Sequence, residues 1–169
     1  YTRITYLKEA LNRLQSREPT HVPDSIISII KTKMIRAHVK ADECTARQIR
    51  TVLKNNRLHK YYPHIQQIYY AITGSQPISI SKQTEQKIIY MFNQVEHVFD
   101  KLYPDNGKFL NYSYLLNKLF HKLHMPDIAN CFALLKDRKK LIKHDYMFYR
   151  ICKQLNWKQP DTFLSTYSI

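Results

Sequence analysis

The chain has 169 residues, 44% of them apolar, with 27 Lys plus Arg against 13 Asp plus Glu and a net charge of +14. That length and apolar content suit one domain with a real core and argue against disorder. Two glycines in the whole chain exclude the glycine-rich loops that cradle nucleotide phosphates, and no run of about 18 apolar residues offers a membrane span.

Helical periodicity governs the predicted elements. Tyr6, Leu7, Ala10, Leu11 and Leu14 predict a first helix near 3–16, closed by the breaker-rich Ser16 to Pro23. Pro23 and Asp24 open a second helix, whose stripe of Ile26, Ile27, Ile30 and Met34 carries it to about Val39. Thr45 and Gln48 have capping-box spacing for a short third helix ending near Asn56. A fourth, through Ile65, Ile68, Tyr69 and Ile72, stops at Gly74, a residue able to take the left-handed conformation past a helix end. Residues 75–80 carry a mild strand signal and read as a connector.

Ile88, Ile89, Phe92, Val95, Val98, Phe99 and Leu102 predict a long helix over about Ser81 to Tyr103, and Pro104-Asp105-Asn106-Gly107 is a turn signal. Helices near 110–123, 127–134 and 138–155 follow. The predicted fold class is therefore all-α, a compact multi-helix bundle of roughly seven helices. It reads as a single helical domain over 1–169, with sub-lobes 1–74 and 81–169 about the connector, and a cyclin-like arrangement, as alternatives. Beginning at Tyr1 with neither methionine nor leader, the chain reads as a trimmed domain or a processed product.

A net charge of this size attracts polyanions, with an affinity that falls as salt rises. The third helix is the sharpest candidate contact. Arg47, Arg50, Lys54 and Arg57 are spaced to share one face, while Ile49, Val52 and Leu53 point to the core. Lys33, Arg36 and Lys40 repeat the spacing on the preceding helix. Lys60, Tyr61 and Tyr62 follow at once, and rings beside cations are what single-stranded bases stack on. A second basic cluster, Lys136, Arg138, Lys139, Lys140 and Lys143, lies at the start of the last helix, where cations oppose the macrodipole. Each stripe is equally the pattern of a solvated helix face, and most tyrosines of a small helical protein, Tyr112 and Tyr114 included, are expected half-buried with the hydroxyl at the rim.

No catalytic constellation emerges. Cys44, Cys131 and Cys152 include no close pair, which suits a reducing compartment, and His121 with His124 lacks a second tight pair for zinc. No metal and no cofactor is expected, and an enzyme is the least supported class.

Taken in order, Lys60-Tyr61-Tyr62-Pro63-His64, Phe109-Leu110-Asn111-Tyr112-Ser113-Tyr114, Leu134-Leu135-Lys136 and Ile151-Cys152-Lys153-Gln154-Leu155-Asn156-Trp157 resemble the poxvirus late transcription factor three-like proteins of large cytoplasmic DNA viruses. Ile72-Thr73-Gly74 and Met91-Phe92 fall between these anchors, and the match runs from about Ile26 to Trp157. The resemblance implies a non-enzymatic factor for viral late-gene transcription. Its implied partners are DNA or transcript, the viral RNA polymerase and other late transcription factors, and its implied location is the viral factory of the host cytoplasm, with packaging in the virion as an option. It also makes Lys60 to His64 a candidate contact segment. Relatives carry a cysteine-rich zinc-binding stretch ahead of the helical region, and this chain departs from that pattern. A basic protein-interaction scaffold without nucleic-acid contact is the alternative function.

Overall fold

The computed structural model describes residues 1–105 and 107–158, and among them the fold is all-α, with eight α-helices and no strand. The helices are α1 (Arg3–Leu14), α2 (Asp24–Arg36), α3 (Ala46–Asn55), α4 (Ile65–Thr73), α5 (Lys82–Leu102), α6 (Tyr112–Lys122), α7 (Pro126–Ala129) and α8 (Arg138–Leu155). Short 3₁₀ segments cover Ala41–Glu43 and His59–His64. Among the described residues, no helix is long and apolar enough to cross a membrane.

The chain divides into two compact units, Leu7–Ile80 and Tyr1–Tyr6 combined with the chain from Ser81 onward. In the Leu7–Ile80 unit, α2, α3 and α4 pack on one another around Val22, Ile30, Met34, Cys44, Ile49, Leu53, Ile68 and Ile72. Tyr61 and Tyr62 lie partly buried against that cluster. The boundaries follow local chemistry. Gln48 N–H donates to the Thr45 hydroxyl and Thr45 N–H to the Gln48 side chain, completing the capping box. Gly74, at φ +70°, ends α4 as the sequence predicts. α2 ends at Arg36, earlier than predicted, because His38 turns into the left-handed region at φ +56°. Residues 75–80 form no strand. Side chains satisfy this segment instead: Ile78 N–H donates to the Tyr70 hydroxyl and Ile80 N–H to Gln15 Oε1.

In the other unit, α6 is the central helix. Residues 114–120 are all buried, so it is enclosed on every side and its one lysine in that run, Lys118, is buried with the rest. Around it, α5 contributes Ile88, Phe92, Val95 and Phe99, and α8 contributes Met147, Phe148, Ile151 and Cys152. α7 is a single turn ending at Ala129, shorter than predicted, because Asn117 donates to the Ala129 and Phe132 carbonyls and draws the chain away from the helix path. The turn predicted after α5 is present at Pro104 and Asp105, and Asn106 lies outside the described residues.

Candidate nucleic-acid interface

The basic face of the Leu7–Ile80 unit is built from the α3 box forward. Ile49 and Leu53 are fully buried and anchor one side of α3, which leaves Arg47, Arg50 and Lys54 exposed on the other. Arg57 is also exposed, but it is not on the helix. α3 ends at Asn55, and Arg57 takes φ +56° in the closing turn, where Leu58 N–H returns to the Leu53 carbonyl. The predicted four-residue stripe is thus three helical cations continued by one on the turn.

That turn delivers the His59–His64 segment beside α3. The Arg50 guanidinium lies 4.2 Å from the centre of the Tyr62 ring, with His59 edge-on to the same ring at 5.2 Å, and the Lys60 ammonium lies 5.1 Å from the Tyr61 ring. Both tyrosines therefore hold cations over their faces, contacts worth about 0.5–1 kcal/mol each at exposed sites. The rings position charge rather than stand open for stacking. His64 is fixed from below: its Nδ1 lies 3.3 Å from Glu18 Oε1, and Gln67 Nε2 donates to the same oxygen. Among the described residues, Arg47, Arg50, Lys54, Arg57 and Lys60 have no carboxylate within salt-bridge distance. Five cations without a carboxylate partner thus lie on one turn-and-helix surface, a local concentration of positive charge.

A cleft of about 380 Å³ adjoins this face between α2 and α3. Lys33 and Met34 line it from α2, and Arg47, Thr51 and Val52 from α3, so Lys33 and Arg47 join in one patch. Arg36 and Lys40 are exposed but do not line it.

In the second unit, Lys136, Arg138, Lys139, Lys140 and Lys143 are all exposed. The helix start that looked unfavourable carries its own compensation, since Asp137 caps α8 by accepting from the Lys139 and Lys140 N–H groups. Lys140 and Lys143 point into a cavity of about 640 Å³ together with Arg3, Lys108, Phe109 and His144, a grouping the sequence reading missed. Arg3 is 97 residues from Asp100, its 2.9 Å partner, so no local signal reveals it.

The tyrosines of the Phe109 to Tyr114 series divide. Tyr112 is half-buried as predicted. Tyr114 departs from that expectation: it is fully buried, and its hydroxyl donates to the buried Asp145 carboxylate at 2.5 Å. Lys118 Nζ lies 3.8 Å from the same oxygen, and burial pushes this lysine below its ordinary range while Asp145 opposes the shift. Burial also pushes the nearby Cys152 thiol up to about 11, which leaves it a protonated packing group rather than a nucleophile. Cys131 donates to the Asp127 carbonyl. Among the described residues, no three His, Cys, Asp or Glu side chains gather as a metal site.

Comparison with known proteins gives a family match over residues 1–159, to the family described as "Poxvirus Late Transcription Factor VLTF3 like". A protein of Acanthamoeba polyphaga mimivirus, described as "Putative transcription factor", is 34% identical over 93% of this chain and 37% of its own length. A protein of Paramecium bursaria Chlorella virus 1 with the same description is 31% identical over 94% of this chain and 44% of its own. One of Invertebrate iridescent virus 3 is 22% identical over 94% of this chain and 46% of its own. The chain thus spans less than half the length of these three relatives. No solved structure matches.

Proposed function

The chain belongs to the Poxvirus Late Transcription Factor VLTF3 like family, and from that premise we propose that it is the nucleic-acid-binding part of a viral late-gene transcription factor. The observation that carries this reading is the uncompensated field of Arg47, Arg50, Lys54, Arg57 and Lys60, held in place by the capping box, the Tyr61 and Tyr62 rings and the Glu18 anchor. Its role is non-enzymatic. It brings promoter DNA or transcript together with the viral RNA polymerase and its other late factors, in the viral factory of the host cytoplasm. Lys136 to Lys143 supply further phosphate contacts from the second unit.

One observation favours a second reading. The α2–α3 cleft is lined by the apolar Met34, Val39 and Val52 and by the cations Lys33 and Arg47, a fit for an acidic amphipathic segment of a protein partner. Salt separates the two readings. Each phosphate contact contributes about 0.9 to the slope of log affinity against log salt, so five contacts from the α3 face give a slope of about −4.5 on duplex DNA. Fluorescence anisotropy of the protein on labelled duplex between about 50 and 200 mM salt should show that steep loss. Weak binding that salt barely changes would remove the nucleic-acid reading and leave the scaffold.

A further inference from the structure

The cavity of about 640 Å³ in the second unit is walled by α8 on one side and the 107–111 segment on the other. Lys140, Lys143, His144 and Met147 share one α8 face at spacings of 3, 1 and 3. Two ties hold the opposite wall. Asn111 N–H donates to His144 Nε2 at 3.1 Å while His144 Nδ1 donates to the Lys140 carbonyl at 2.8 Å, which commits both ring nitrogens of a neutral imidazole. Arg3 is bound by Asp100 at 2.9 Å and Glu96 at 3.5 Å, and it stacks 4.6 Å from the Phe109 ring centre. Arg3 is therefore structural, its charge already met.

The ligand-facing groups are what remain. Lys140 and Lys143 have no carboxylate partner among the described residues, and no Asp or Glu lines the cavity. The Tyr112 hydroxyl has no hydrogen-bond partner there either. Phe109, Leu110, Leu135 and Met147 give the wall its apolar part, with Lys108 and Asn111 also lining it. Paired cations, apolar lining with an aromatic ring, and a hydroxyl match the parts of a nucleotide: phosphate, base and sugar or base edge. A drug-sized ligand fills cavities of about 300–1,000 Å³. Because Asp137 already occupies the α8 N-terminus, the site rests on side chains rather than on that helix end.

We infer that this cavity binds a single nucleotide, with its phosphate on Lys140 and Lys143 and its base against Phe109, Leu135 and Met147. The inference rests on the nucleic-acid reading above and gives the second basic cluster a ligand class, either a free nucleotide or one splayed out of a single strand. Calorimetric titration of the full chain with adenosine monophosphate, thymidine monophosphate, inorganic phosphate and adenosine tests it. At least one nucleotide should bind more tightly than phosphate or adenosine alone. Lys140→Ala plus Lys143→Ala should weaken that nucleotide roughly tenfold or more, because charge-assisted contacts are lost. Lys87→Ala plus Lys101→Ala removes equal charge from exposed α5 positions of the same unit and should change it less than about threefold.

A ten-nucleotide thymidine strand distinguishes the sources. If its affinity falls with the Lys140 and Lys143 change, the cavity takes a strand nucleotide; if only the mononucleotide is affected, the ligand is free. Either result supports the site. Equal weakening by both double variants, or no saturable nucleotide binding, overturns it. In that case retained duplex binding through α3 would leave the proposed function intact.

Discussion

Asp145→Ala is expected to destabilise the protein by about 3–5 kcal/mol, because it removes the carboxylate of a buried ion pair and takes from the buried Lys118 ammonium its counter-charge. Asp145 and Lys118 are 1% and 2% exposed, so neither water nor a surface rotamer can take over. Asp145 also accepts from the Tyr114 hydroxyl, and the Lys118 ammonium lies 5.4 Å from the Tyr114 ring centre. Lys118→Met should cost less, since the thioether fills the space while Asp145 keeps the tyrosine. The pair changed together to Lys118→Met and Asp145→Leu should recover part of the Asp145→Ala loss, as well-packed apolar replacements of buried pairs often do. Urea unfolding followed by circular dichroism measures all three. A loss below about 1 kcal/mol for Asp145→Ala would show that the pair is solvated in solution.

Gln67→Ala is expected to cost about 2–3 kcal/mol through three hydrogen bonds made by one side chain. Gln67 Oε1 accepts from the Val22 N–H at 2.6 Å, and Nε2 donates to the Thr20 carbonyl at 2.9 Å and to Glu18 Oε1 at 3.0 Å. Those bonds tie the breaker-rich segment between α1 and α2 to α4, and through Glu18 they reach His64. The Val22 amide should lose most of its hydrogen-exchange protection in the variant, because Val22 is buried and this donor has no alternative partner within the segment. Unchanged protection at Val22, or a stability loss under about 0.5 kcal/mol, would contradict the role given to this side chain.

What was legible in the sequence was local. Thr45 with Gln48, Gly74 and the α5 stripe of Ile88, Phe92, Val95 and Phe99 are short-range patterns, and the fold places each as read. The joints formed by distant residues were not legible. Arg3 meets Asp100, Gln67 meets Val22, and Tyr114 meets Asp145 across separations that no helical period spans. Lys118 shows the limit most sharply. A lysine within an apolar run reads as a surface position, and only the enclosure of α6 by its neighbours buries it. Asp137 stands in the sequence as one acid inside a basic run, and its role as the α8 cap shows only in the fold. The resembling motifs prove largely structural: Asn111 caps α6, Ser113 donates to the Ala133 carbonyl, and Asn156 turns left-handed to end α8.

The same long-range contacts change how the α3 face must be tested. Arg3 pairs with α5 and stacks on Phe109, so its loss would disturb the fold and it cannot serve as a neutral comparison. Lys8 and Lys31 can, being exposed and outside the candidate surface of the same unit. The decisive measurement is the salt slope of duplex binding for Arg50→Ala plus Lys54→Ala against Lys8→Ala plus Lys31→Ala, with helix content checked by circular dichroism. The first pair should weaken binding and lower the slope by about 1.8, the release expected from two lost phosphate contacts, while the second should change both far less. Equal changes in the two variants would mean that binding is diffuse attraction to a basic protein, and the α3 face would not be the site.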